Sequence, residues 1–338
     1  MATWLAIDVG GANLKAADGQ GYWQSYPFPL WTDYKRLSHQ LRSILSEAPE
    51  ADHLLLTMTG ELADCFESKS EGVKFILDAF GQAAGNRHTR VYLVDGRMVS
   101  LKVAQMQPLL AAASNWHALA AFSARFAPSG SALLIDMGST TCDLIPLIDG
   151  KPVPQGKTDT TRLLSGELVY SGLIRTPVCA LVQQVPYRGQ MCPIAAELFA
   201  TTADVHLLRE VFPEDPLYLH TADGKPLTKA NSRSRMARMI AADPDEFNHR
   251  DAVVMAEHVA AEQLAKIVSA IHKVVGAMPI RPKTVILSGQ AEILALAAVN
   301  AAELDVQAIS LKSKIGAGLS RVAPAHALAV LAREAVGA

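Results

Sequence analysis

One pattern occurs twice in this chain, as WLAIDVGGANLK at 4–15 and as ALLIDMGSTTCD at 132–143. Leu5, Ile7, Asp8 and Gly10 fall on Leu133, Ile135, Asp136 and Gly138. Each copy is an apolar run that ends in a carboxylate, turns tightly through glycine and small hydroxyl or amide residues, and resumes as a second strand. A repeat at this separation splits the chain into two halves that begin alike. With 338 residues, each half is long enough to bury a core of its own.

Glycine permits turn dihedrals closed to other residues and lets backbone N–H groups approach a ligand. Consecutive N–H groups in such a turn form a concavity that binds anions. An aspartate at the strand end can reach Mg²⁺, which takes oxygen ligands and keeps several waters. Two hairpins of this kind facing each other would grip a diphosphate or triphosphate from both sides. The phosphate-binding candidates are therefore Gly10, Gly11, Ala12 and Asn13 in the first turn, and Gly138, Ser139, Thr140 and Thr141 in the second. Asp8 and Asp136 are the candidate metal ligands. The bland alternative makes both aspartates ordinary turn residues with no ligand. Neither a GxxxxGK[ST] nor a GxGxxG is present, and a strand follows each turn, so P-loop and dinucleotide geometries do not fit.

Hydrophobic spacing predicts strands at 4–8, 14–17 and 22–28, a helix over 33–47, a strand at 53–58, a helix over 72–84, a strand at 91–94 and a helix over 108–126. The order restarts with strands at 132–136, 141–148 and 151–153, the last two joined by the hairpin signal Asp149-Gly150. After a polar, proline-containing insertion at about 157–250 come a helix over 251–276, a strand at 284–288, a helix over 290–300, a strand at 304–311 and a helix over 324–336. This order predicts an α/β chain of two ribonuclease-H-like domains around a phosphate-binding cleft. The expected domains are 1–126 and 127–323, the insertion lies in the second, and the last helix is free to pack back on the first. Long irregular stretches inside compact domains are usually lids or added subdomains.

Half the residues are hydrophobic and the formal net charge is −2, which suits a folded soluble protein and points to neither nucleic acid nor a membrane as partner. The apolar N-terminal run stops at Asp8 with no basic residue before it, unlike a signal peptide. The cysteines Cys65, Cys142, Cys179 and Cys192 form no CxxC pair, so reduced thiols in the cytoplasm are expected. A homodimer is left open.

The two turns resemble the phosphate motifs of the actin, sugar-kinase and heat-shock-70 superfamily. Ser288-Gly289-Gln290 is similar to its third, ligand-side loop, and the helix holding Ser114-Asn115-Trp116-His117 to its connecting helix. A closer resemblance runs through DVGGANLKAA, MTGELADCF, ASNWHALA, DMGSTTCDL, GELVYSGLIRTPV and ATTADVH, in that order. Together these blocks, spanning nearly the whole chain, resemble a branch of the hydantoinase/oxoprolinase group linked to tetrahydromethanopterin-dependent one-carbon transfer. Its characterised archaeal members are synthases of methanofuran biosynthesis, joining an aminomethylfuran diphosphate to γ-glutamyltyramine and releasing pyrophosphate. The resemblance implies a Mg²⁺-dependent transferase acting on a small phosphorylated substrate. An ATP-dependent small-molecule kinase is the alternative, a non-catalytic nucleotide switch the third reading, and ATP binding is left open.

On that reading Asp8, Lys15, Asp136 and the turn amides would neutralise the leaving diphosphate. A carboxylate would serve as base for the phenol. Glu61 in TGELAD follows a strand end, with Asp64 beside it; the bland reading is a carboxylate at a helix N-terminus. Glu167, Tyr170, Arg175, Ser288 and Gly289 are candidates for the substrate side. Asp204, His206 and Asp223 read as loop chemistry, Trp116 as packing and Ser232 to Arg238 as a solvated basic face. His258 and His272 are too far apart for a one-turn metal pair.

Overall fold

The computed structural model describes residues 3–337. Strand β1 (Trp4–Val9) is buried along its whole length, so its sheet must be covered on both faces. It pairs antiparallel with β2 (Asn13–Ala17), which pairs with β3 (Trp23–Pro27). On its other side lie the parallel strands β4 (His53–Met58) and β5 (His88–Tyr92), with β6 (Met98–Val99) at the edge. Helices Leu37–Glu47 and Lys69–Ala84 cover one face, burying Leu41, Ile44, Ile76 and Phe80 against Ile7, Leu54 and Leu56. The other face carries alanines, Ala6 and Ala17, and there the last helix, Ala323–Gly337, lays Ala325, Leu328 and Ala329 close against the sheet.

The second sheet repeats the path. Strand β7 (Ser131–Met137) pairs antiparallel with β8 (Cys142–Ile148). The third-strand position is split between β9 (Lys151–Pro152) and β10 (Leu168–Val169), both on β8. Across β7 run the parallel strands β13 (Thr284–Gly289) and β14 (Gln307–Ser310). The sheets read β3-β2-β1-β4-β5-β6 and β10-β8-β7-β13-β14, with β9 also on β8. That duplicated order, a three-strand meander with parallel strands on the far side of its first strand, is the two-domain actin-like fold. Helices His249–Ala277 and Glu292–Ala301 cover the outer face of the second sheet. Helix Asn115–Ser123 covers the inner one, where Trp116 and Leu119 meet Leu134, Ile145 and Ile286.

The expected helix over 108–126 is broken. Pro108–Ala111 ends at a left-handed Ala113 (φ 45°), and Asn115–Ser123 starts afresh. Ser114 causes the break: its N–H donates to the Met58 carbonyl at 3.1 Å, and its hydroxyl meets that of Thr57 at 2.8 Å. The chain is thereby tied to the end of β4, and the new helix begins at the cleft. The expected helix over 33–47 likewise comes in pieces, a short turn at Leu30–Asp33, a tighter one at Tyr34–Arg36 and a regular helix from Leu37, and the strand at 304–311 shrinks to Gln307–Ser310.

The insertion is more ordered than its polarity suggested. It holds the hairpin β11 (Gln184–Tyr187) and β12 (Gln190–Pro193), helices Thr202–Leu208 and Lys229–Arg238, and an apolar core around Val205, Met236 and Phe247. Ser232 to Arg238 is not a solvated basic face. Arg235 is fully buried, held by Asp204 at 2.7 Å and by Asp223 at 2.9 Å. Asp204 is no loop residue either; it closes a capping box with Thr201 at the start of its helix. Among the described residues no helix is long and apolar enough to cross a membrane.

Candidate functional site

Both turns are closed the same way and braced from behind. The Gly10 N–H donates to the Asn13 carbonyl at 3.0 Å, and the Gly138 N–H to the Thr141 carbonyl at 2.9 Å. A side chain at position 10 would place Cβ 2.9 Å from that Asn13 oxygen, so glycine is required there. Leu30 and Phe28 donate to the carbonyls of Gly11 and Ala12, both at 2.9 Å. Leu173 donates to Gly138, and Ile174 and Arg175 to Ser139, all at 3.0 Å. At Gly172 a Cβ would lie 2.4 Å from the Thr140 nitrogen, so the segment from the insertion can brace the turn only through glycine. The amides of Gly11, Ala12, Ser139 and Thr140 donate to no backbone oxygen among the described residues. The two turns line one cavity of about 220 Å³ between the lobes.

Charge is distributed unevenly around it. Across the first hairpin Asp8 faces Lys15, with Nζ 3.7 Å from the carboxylate. Across the second, Asp136 faces Asp143, whose charge is met by Arg162 at 2.8 Å. Burial raises Asp8, and Lys15 pulls it back. Asp136 is pushed up to about 6 by burial and then by the neighbouring Asp143. Glu61 is pushed up to about 7 by burial, with Asp159 adding to the rise and Lys69 opposing it. These directions mark groups whose charged forms lack their full complement of partners. Asp8 Oδ1, Glu61 Oε2, Trp116 Nε1 and Arg162 Nε are buried without hydrogen-bond partners, and all four residues line the cavity. Buried polar atoms are normally satisfied, so four unpartnered ones around a single cavity make it the candidate ligand site.

Asp8 and Asp136 fit a Mg²⁺ ion: one buried oxygen of Asp8 is unclaimed, and the carboxylates around Asp136 are short of positive charge. Among the described residues no three His, Cys, Asp or Glu side chains form a closed metal cluster. Mg²⁺ needs none, because one or two carboxylates hold it alongside substrate phosphates and water.

The sequence profile of the hydantoinase/oxoprolinase family matches residues 54–335, most of the chain. The chain belongs to that family. One relative, from Methanocaldococcus jannaschii, is 32% identical over 332 residues, covering 97% of this chain and 96% of its own. It is named (4-{4-[2-(γ-L-glutamylamino)ethyl]phenoxymethyl}furan-2-yl)methanamine synthase. A relative of the same name from Methanococcus vannielii is 29% identical over 210 residues, 61% of this chain and 92% of its own. Among solved structures, an archaeal actin homologue covers 99% of this chain and 100% of its own at 12% identity and a TM-score of 0.47. A ROK family protein from Streptococcus pneumoniae TIGR4 overlaps with the same coverage and identity at 0.43. Overlaps this loose leave the fold assignment resting on the strand order.

In this hydantoinase/oxoprolinase family member the cleft gathers most of the residues singled out from sequence. Asp8, Gly10, Gly11, Ala12, Asn13, Lys15, Glu61, Asp136, Gly138, Ser139, Thr140, Thr141, Arg175 and Gly289 all line it, and so does Tyr170. Ser288 lies beside Asp136 in the sheet register, with its hydroxyl buried and unpartnered. Glu167 is elsewhere. Its carboxylate accepts from the N–H groups of Gln155 and Gly156 at 2.7 and 2.8 Å and from the Ser165 hydroxyl at 3.0 Å, fixing the returning chain instead of facing the cleft. Asp64 is exposed outside the lining. Sequence reasoning missed Asp143 and Arg162. Asp143 was visible as the residue aligned with Lys15 in the repeat; Arg162 had no local signal. Trp116 does pack between the sheets, but its ring also reaches the cleft, where Arg162 stacks 4.0 Å from its centroid.

Proposed function

We propose that this enzyme is a transferase of methanofuran-type cofactor assembly, condensing a furan diphosphate with a tyramine-derived phenol and releasing pyrophosphate. The observation that carries the reading is the facing pair of amide-lined turns around one small cavity, where buried donors and acceptors stand unpartnered. The near full-length match to a synthase whose name spells out a phenoxymethyl furan supports the same substrate class.

On this reading the turn amides and Lys15 hold the diphosphate and stabilise the charge that grows on it as it leaves. The phenol oxygen bonds to the furan's methylene carbon while the bond from that carbon to the diphosphate oxygen breaks, the electron pair leaving with pyrophosphate. Glu61, raised to about 7 and with one oxygen free, takes the phenolic proton. Arg162 holds Asp143 and keeps its charge from adding fully to that on Asp136. A Mg²⁺ ion held by Asp8 and Asp136 would supply further neutralisation of the diphosphate as a Lewis acid.

Calorimetric titration with Mg²⁺ against pyrophosphate, ADP and ATP tests the assignment, on wild type and Asp8→Ala. Tight pyrophosphate binding, weak nucleotide binding and loss of both in the variant are expected. Strong ATP binding would favour an ATP-dependent small-molecule kinase instead. Binding of none of the three would overturn the phosphate clamp itself.

A further inference from the structure

Two arginines in this cleft stack on tryptophans, and they differ in what becomes of their charge. Arg162 lies over Trp116, but Asp143 takes its charge at 2.8 Å. Arg175 lies over Trp31, 4.7 Å from the ring centroid. Arg175 is exposed, and among the described residues no carboxylate pairs with it. Its guanidinium therefore rests on an aromatic face with its charge unspent.

The positions of the two residues give the pair its meaning. Trp31 follows Leu30, whose N–H braces the first turn at the Gly11 carbonyl. The Arg175 N–H itself braces the second turn at the Ser139 carbonyl. The stack thus joins the two phosphate-binding turns across the cavity, from one lobe to the other. A guanidinium is a planar fork that matches phosphate oxygens in two places, and stacking on an aromatic face leaves its N–H edge free to donate. Pinning it beforehand reduces the side-chain entropy lost when an anion binds.

We propose that Trp31 is a positioning residue that holds the Arg175 guanidinium across the cleft, where it closes over the bound diphosphate. The proposal rests on the diphosphate reading of the cleft. Trp31 contributes no charge and acts only through Arg175, and that separates it from a residue that merely supports the fold.

The test is a double-mutant cycle read as the pyrophosphate dissociation constant with Mg²⁺, with melting curves on every variant. Arg175→Met is expected to weaken binding about tenfold, the scale of one charge-assisted hydrogen bond. Trp31→Ala is expected to weaken it about threefold to fivefold, and Trp31→Phe, which keeps a ring, by less than about twofold. The double variant Trp31→Ala/Arg175→Met should bind no more weakly than Arg175→Met alone. Arg175→Lys, at an exposed site where folding is not at risk, should also weaken binding, because an ammonium lacks the planar fork. Additive losses in the double variant, or wild-type affinity in Trp31→Ala or Arg175→Lys, would overturn the clasp. If those variants bind normally while Asp8→Ala does not, the clasp falls and the diphosphate site stands. If wild type itself does not bind pyrophosphate, both fall.

Discussion

The hairpins at 4–17 and 131–148 follow the same backbone path, with the same closing hydrogen bond at Gly10 and Gly138 and an aspartate at the same register. They part company one strand over, where Asp8 meets Lys15 and Asp136 meets Asp143. The apolar spacing and the turn glycines are held by the core and by close backbone contacts, so both copies must keep them. The cross-strand partner points into the cleft, where packing does not restrict it. The first hairpin is consequently suited to an anion directly. The second gathers negative charge that calls for Arg162 nearby and, on the proposed function, for a cation between it and the ligand. A duplicated scaffold can thus hold one diphosphate by two different means.

The largest expected effect breaks the comparison through its buried ion pair. Arg162→Met strands Asp143 beside Asp136 and should lower unfolding free energy by about 3–5 kcal/mol. Lys15→Met also leaves a buried carboxylate, Asp8, but from a looser pair at 3.7 Å whose lysine side chain is 24% exposed, and should cost less, about 1–3 kcal/mol. Chemical denaturation measures both. Next, Asp8→Asn and Asp136→Asn should each lower kcat/KM for pyrophosphate release by about 10²–10³-fold. A large loss in only one would mean that one hairpin alone does the chemistry.

Glu61 lies outside both hairpins and gives a pH test of the cleft they enclose. Its pKa in the folded chain, about 7, is above the ordinary 4.5, so the folded state holds the proton more tightly than the unfolded one. The stabilisation from burying the neutral acid is fully present below about 4.5 and is lost as pH rises through about 7. Glu61→Gln stays neutral throughout, and relative to its stability near pH 4 should gain on wild type by on the order of 3 kcal/mol above pH 8. If Glu61 is the base, wild-type turnover should also climb as pH passes through 7, and the variant should lose that rise. A smaller effect sharpens the difference in how the turns are braced. Gly172→Ala should cost about 1–3 kcal/mol, because its methyl meets the Thr140 nitrogen. Gly11→Ala, whose methyl would meet nothing within 4 Å, should cost less than about 0.5 kcal/mol of stability, seen as nearly unchanged melting. Lys69→Ala removes a pair 2.6 Å from Asp159 that joins the lobes, and should likewise cost under about 1 kcal/mol.

Much of this was legible beforehand. The repeated strand–Asp–Gly pattern located both turns, and with Lys15 it named the groups that line the cavity from both sides. The strand order followed from apolar runs and turn signals. Glu167, named from the GELVYSGLIRTPV block as a substrate contact, misled because here two backbone N–H groups and a hydroxyl consume its carboxylate. The insertion misled because a buried ion network makes a sequence look polar: Arg235, Asp204 and Ser232 are all buried.

The sequence by itself determined most elements of the two sheets and both turns, because hydrophobic period and glycine dihedrals are local, each set within a few residues. Only the tertiary structure decided which charges meet. Arg162 reaches Asp143 from a helix outside the hairpin, Trp31 and Arg175 come from opposite lobes, and Asn115 starts a helix at the cleft because Ser114 ties the chain to β4. Those partnerships depend on how two sheets are set against each other, and the spacing of residues along one strand or helix carries no record of that.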